Sequence, residues 1–160
     1  MRLRLKVFIS YCGSLFKISI MTFTTANRRA IGIFLLRSLL GLIFLMQGYG
    51  KIFSWGIDGV YQNAFASYEA TWIPIFLLKL TAYFTSYAEL LGGFLLLLGL
   101  FRNWAYIALG LVLLLVSYGH GLSSPIWDLQ HVFVRAVFLI TLLLVPADWD
   151  QLHLDRFVTK

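Results

Sequence analysis

Apolar residues run almost unbroken through four stretches of this chain, and polar residues gather between them. The stretches are residues 31–53, a second from about 80 to 101, a third at 104–119, and a fourth from about 126 to 145, closed by Pro146. A helix rises about 1.5 Å per residue, so about 20 residues cross a hydrocarbon core about 30 Å thick. The apolar run from 73 to 101 exceeds one untilted crossing, which assigns Pro74 to a preceding surface element. Backbone polar groups must find partners within lipid, so the pattern predicts an all-α membrane protein, a four-transmembrane-helix bundle.

Between helices one and two lies the only sizeable loop, 54–79. Val60, Ala64, Tyr68 and Trp72 recur there at helical spacing, with Tyr61 and Phe65 beside them. The spacing predicts an interfacial amphipathic helix with aromatics in the headgroup region, capped at its start by Asp58. A substrate lid and a plain folded loop are the alternatives.

Composition agrees with a membrane setting. Of 160 residues, 60% are hydrophobic and 12% charged. A soluble domain of this size could not keep so much apolar surface from water. The net charge of +6 does not point to nucleic acid, because the basic residues are not spread over a surface. Arg2, Arg4, Lys6, Lys17, Arg28 and Arg29 precede the first apolar run. With Arg102 and the tail residues Arg156 and Lys160, they place both termini in the cytoplasm by the positive-inside rule. The 54–79 segment and the loop ahead of His131 then lie outside. Cys12 is the only cysteine, which excludes an internal disulfide, a CxxC pair and a cysteine zinc cluster.

The domain reading is a basic cytoplasmic segment at 1–30, one membrane domain at 31–157 and a tail at 158–160. Residues 1–20 read either as a weak signal-like segment or as sequence upstream of a true start at Met21.

Several charges fall inside the apolar stretches. Counted from the outer face, Glu89 lies about 13 Å below Leu80, and Arg135 about 13 Å below Ile126 on the returning helix. Arg37 lies six residues into helix one from the inside, within reach through its long side chain. An isolated charge at mid-bilayer costs at least about 2.5–3.5 kcal/mol, so such groups pair within the protein. Glu89 is therefore expected to pair with Arg135, Arg37 or both. The pair either staples helices or serves a ligand or proton.

Helical spacing also sorts faces. Arg37, Gly41, Phe44, Gly48 and Lys51 form one stripe, and Glu89, Gly92, Gly93 and Leu96 another. Gly110, Ser117 and Gly121 align on helix three, and Asp128, His131 and Arg135 on helix four. The glycines allow close helix approach or leave room for a small molecule. His120 and His131 lie near the outer end, suited to proton exchange. No third ligand accompanies them, so no metal or haem site is predicted. His153, with Asp150 and Asp155, reads as a solvated face. Phosphate loops, GxGxxG, nucleophile elbows and HExxH are absent.

The segments LLRSLLGLIFLMQGYGKIFSWG and AELLGGFLLLLGLFRNWA together resemble the DoxX family of small bacterial four-helix membrane proteins. The matching positions are Arg37, Gly48, Lys51, Glu89, Gly92, Gly93, Gly99 and Arg102, with Leu154, Asp155 and Arg156 near the end. Family members often carry an acidic residue early in helix four, where this chain has QHVFVRAVF. The resemblance implies a multi-pass protein of the bacterial inner membrane. It also implies an accessory subunit of a redox system handling quinone or a small sulfur compound, as in thiosulfate:quinone oxidoreductase. The chain has no electron carrier of its own, so a cofactor or a partner redox subunit would be needed. The intramembrane polar site would comprise Glu89, Arg135, Arg37, Lys51, His131 and His120, with Gly48, Gly92, Gly93 and Gly99 packing helices. The alternatives are a structural or assembly subunit without ligand, and a small-molecule permease.

Overall fold

A computed structural model of the chain describes residues 24–123 and 130–158. Asp128 and the first 23 residues lie outside the described residues, as does the side chain of His131. No strand occurs among the described residues. Helix α1 is Thr25–Tyr49, continued by a π-helical segment, Gly50–Trp55. Helix α2 is Gly56–Ala64, α3 is Ile75–Leu98, α4 is Arg102–Ser123, α5 is Gln130–Leu144 and α6 is Asp155–Val158.

The ends of these helices have local causes. Thr24 caps α1 by accepting the Asn27 N–H at 3.3 Å, as an N-cap hydroxyl does. Pro74 sets the start of α3 from an extended conformation. At its other end Gly99 adopts φ +66°, and Leu100 N–H bonds Leu95 O at 2.9 Å, which closes the helix. A Cβ at Gly99 would stand 2.7 Å from His153 Cβ and 2.8 Å from Arg37 Nη1. Glycine is thus required there by conformation and by space.

Helix α1 packs on α3 and α5, and α4 also packs on α3 and α5. The central core joins Leu40 and Phe44 of α1 to Leu96 of α3, to Tyr106 and Leu109 of α4, and to Val132 and Leu139 of α5. The buried face of α1 carries Arg37, Gly41, Phe44 and Gly48, and that of α3 carries Glu89, Gly92, Gly93 and Leu96. On α4 the expected face is displaced. Ala105, Tyr106, Leu109, Val112 and Leu113 are buried, whereas Gly121 is exposed. Large side chains set that interface, and the glycine spacing does not.

Helices α1, α3 and α4 are each long and apolar enough to cross a membrane, and α5 contributes a shorter apolar helix, Val132–Leu144. Their outward faces carry Leu39, Leu42 and Met46 on α1, Leu91 and Phe94 on α3, and Leu111 and Leu114 on α4. Water would not tolerate so continuous an apolar surface, whereas lipid tails cover it at no cost.

The segment between α1 and α3 differs from expectation. Helix α2 starts at Gly56 with no side-chain cap, so Asp58 lies in the first turn instead of at the N-cap. The helix stops at Ala64 and a short 3-10 turn, Ala66–Ala70, follows. Val60 and Tyr61 pack on Leu78 and Ala82 of α3. Part of the amphipathic face packs on the protein's own helix, and Trp72, 76% exposed, projects outward. Tyr61 donates to Glu69 Oε1 at 2.5 Å, which ties α2 to the 3-10 turn, and Tyr68 donates to Gly119 O at 2.8 Å, which ties the segment to α4. Helix α3 begins at Ile75 rather than near Leu80.

Candidate functional site

Two polar centres occupy opposite ends of the helices. At the end bearing the α1–α3 connection, a cavity of about 460 Å³ opens between α1, α2, α3, α4 and α5. Glu89 is 2% exposed in its wall. Lys51 Nζ stands 2.8 Å from Glu89 Oε2. That oxygen has no aligned hydrogen bond, so the contact is an ion pair held by charge. Lys51 belongs to the π-helical segment, whose extra residue per turn re-aims side chains relative to an α-helix. Across the cavity Arg135 donates to Gln47 Oε1 at 2.5 Å and lies within coulombic reach of Glu89.

Tyr68, Thr85 and His120 are among the other polar residues of the lining, and Trp55, Phe65 and Val116 among the apolar ones. The structure therefore brings Glu89, Lys51, Arg135 and His120 around one space. The direct partner of Glu89 is Lys51, not Arg135 or Arg37. No three His, Cys, Asp or Glu side chains among the described residues are placed to hold a metal.

Arg37 belongs to the other centre. It is fully buried and donates to Leu96 O, to Leu97 O at 3.3 Å and to Leu152 O at 2.5 Å. These carbonyls include the last ones of α3, which have no partner within the helix and attract positive charge. Its Nε lies 3.2 Å from Asp150 Oδ2, which also receives Arg102 Nη1 at 2.6 Å. Asp155 Oδ2 takes Arg102 Nε at 3.0 Å, and Asp155 Oδ1 accepts the Phe101 N–H at 2.7 Å. Asp155 thereby caps the start of α4 from another part of the chain and steadies Phe101, whose φ is +46°.

The tail read as solvated is a latch: Asp150 is 4% exposed, and His153 Nδ1 contacts Asp150 O. The sequence carried one signal for it. Arg37 and Arg102 need counter-ions at that end, and Asp148, Asp150 and Asp155 are the acids beyond Pro146.

The latch carries a pH signature. Burial pushes the Asp155 carboxyl up, but hydrogen bonds from the Phe101 N–H and from Arg102, with the Arg102 charge, outweigh it and hold the group below its ordinary value. A carboxylate held low in the folded state contributes stability that is complete above its unfolded value. The contribution is lost as pH falls through the lower folded value. Wild type should therefore unfold at higher temperature than Asp155→Asn at neutral pH, and the gap should close below about pH 4. Thermal unfolding in detergent across pH checks this, and a gap unchanged at acid pH would count against the latch.

At each of the four glycines a Cβ would come within 3.0 Å of a neighbouring atom. A Cβ on Gly48 would land on the Leu90 backbone, and one on Gly93 on the Leu45 backbone, so α1 and α3 cross in contact there. Gly92 instead faces the Leu109 side chain of α4.

Fold and composition together define a multi-pass helical membrane protein with a polar cavity at one end and an ionic latch at the other. The chain belongs to the DoxX family, whose model matches residues 32–120. Arg37, Gly48, Lys51, Glu89, Gly92, Gly93, Gly99 and Arg102 lie within that match, whereas Arg135, Asp150 and Asp155 lie beyond it. No curated protein and no solved structure matches the chain.

Proposed function

We propose that the cavity around Glu89 is a ligand site, and that the protein is an accessory subunit of a redox system handling a quinone or a small sulfur compound. The proposed setting is the bacterial inner membrane, with four crossings and both termini cytoplasmic. One observation carries this reading: a buried carboxylate, two cations and an amide line a space of about 460 Å³ whose remaining wall mixes aromatic and aliphatic groups with hydroxyls and an imidazole. That combination is typical of small-molecule sites, which are largely apolar with a few convergent polar groups. An intramembrane ionisable residue also marks function more often than chance.

The residues fit such a ligand. Lys51 and Arg135 offer donors to an acceptor oxygen, and Glu89 offers an acceptor beside them. Trp55, Phe65 and Val116 suit an apolar ring. A bound quinone would supply the electron-accepting chemistry. The chain's own part is to bind, to orient and to hold a proton at Glu89, with electrons passing through a partner subunit. A small sulfur oxyanion would use the same two cations. A structural role has its own support in the latch, whose charges are committed to one another, and that support is confined to the opposite end.

The test is labelling by a photoreactive short-chain benzoquinone in membranes. Label is expected on the peptides holding Lys51 and Glu89, competed by unlabelled quinone; competition by thiosulfate instead would select the sulfur compound. Label spread evenly over the outward faces of the helices would sink the ligand reading.

A further inference from the structure

A groove of about 540 Å³ runs along the outward side of α3 and α4. Phe84, Leu91 and Leu95 of α3 and Trp104 of α4 are among its lining, with the small residues Ala88 and Ala108. No charged side chain lines it. Phe84, Leu91 and Trp104 are exposed, so in a membrane the groove faces lipid.

The groove continues the Glu89 cavity. On α3, Thr81, Thr85, Ala88, Gly92 and Leu95 follow at steps of 4, 3, 4 and 3, the spacing of one helix face. Thr81 and Thr85 line the cavity, and Ala88, Gly92 and Leu95 line the groove. On α4, Ala105, Ala108, Val112, Leu115 and Gly119 follow at steps of 3, 4, 3 and 4. Ala105 and Ala108 line the groove, and Leu115 and Gly119 line the cavity. Only buried Val112 lines neither space. The two spaces thus lie end to end along one seam. Leu115 is exposed although it lines the cavity, so the cavity meets the lipid-facing surface there. From Thr85 to Leu95 the helix rises about 15 Å, room for an extended hydrocarbon chain.

We infer that the ligand of the Glu89 cavity is amphiphilic. Its polar ring sits among Lys51, Glu89 and Arg135, and its hydrocarbon tail leaves between Thr85 and Leu115 and lies in the groove. This rests on the reading of that cavity as a ligand site and narrows it to a lipid-soluble quinone. A dissolved sulfur oxyanion has no chain to place along the seam. Lipid tails would otherwise cover the groove, so the tail gains a fixed position there more than affinity.

The test therefore reads position. The full chain, in bilayer nanodiscs, is exposed to a benzoquinone whose decyl tail ends in a diazirine. Photolabel is expected on the peptides holding residues 88–95 and 104–108. Excess tail-free benzoquinone should lower it about tenfold, because the head holds the tail in place. Decanol carrying the same diazirine has no head for the cavity and should label the groove no more than the other outward faces. Ala108→Phe fills the groove outside the cavity. It should abolish the displaceable label while tail-free benzoquinone still raises the unfolding temperature. Ala88→Leu fills the groove from α3 and serves as the second variant. Label spread over all outward faces, with the tail-free quinone shift intact, would leave the Glu89 site standing and overturn the tail. Groove label that tail-free quinone does not displace would make the groove a lipid-chain site of its own, which also overturns it. The absence of any quinone shift in wild type would remove the Glu89 reading and this inference together.

Discussion

Replacing Arg37 by leucine is expected to destabilise the protein by about 3–5 kcal/mol, the cost of breaking a buried ionic network from one side. The side chain is fully buried and meets three backbone carbonyls and one carboxylate. Leucine would leave Leu96 O and Leu152 O without this donor, and Asp150 with Arg102 alone. The tail would lose its fastening to α3 and α1 together. Arg37→Lys keeps the charge but not the planar fork, so it should fall between wild type and leucine. Reversible unfolding in mixed micelles, read by tryptophan fluorescence and circular dichroism, measures both variants. A loss below about 1 kcal/mol would show that the latch contributes no more than a surface ion pair.

Gly93→Leu is expected to prevent α1 and α3 from docking at all. The first atom of any side chain at Gly93 would overlap the Leu45 backbone, and backbone cannot rotate aside as a side chain can. Overpacking of a well-filled core costs about 1–3 kcal/mol even where neighbours adjust. Here a whole helix would have to move. Gly48→Leu meets the Leu90 backbone and should behave alike. Gly92→Ala is the control, because the atoms nearest its Cβ would be Leu109 side-chain carbons, the first at 2.9 Å, which can shift. Yields of folded protein from membranes should therefore fall to near nothing for Gly93→Leu and Gly48→Leu and stay close to wild type for Gly92→Ala. A folded Gly93→Leu would mean that α1 and α3 do not cross where described.

The stripes on α1 and α3 were legible because a regular helix repeats its faces. Arg37, Gly41, Phe44 and Gly48 are all buried, as are Glu89, Gly92, Gly93 and Leu96. Pairings across helices were not legible. Lys51 reaches Glu89 from a π-helical segment, and no period-3.6 count anticipates that turn. Depth counting also started helix two near Leu80, whereas α3 begins at Ile75, directly after Pro74. Asp150 lies in irregular chain beyond Pro146, where polar residues look solvated because no period marks the buried ones. Helix α2 stops at Ala64, and Val60 and Tyr61 pack on Leu78 and Ala82 of α3, a long-range contact that helical spacing within the segment does not reveal.

The central claim is that the two ends differ in kind, a ligand cavity around Glu89 and a structural latch around Arg37. The most direct test compares Glu89→Gln with Arg37→Gln in purified protein, each with and without a short-chain benzoquinone, by thermal unfolding. The account predicts that Glu89→Gln unfolds near the wild-type temperature and loses the quinone shift. Arg37→Gln should unfold much earlier and keep the shift. If Glu89→Gln unfolds as early as Arg37→Gln and quinone moves neither variant nor wild type, both centres are staples and the cavity is not a site.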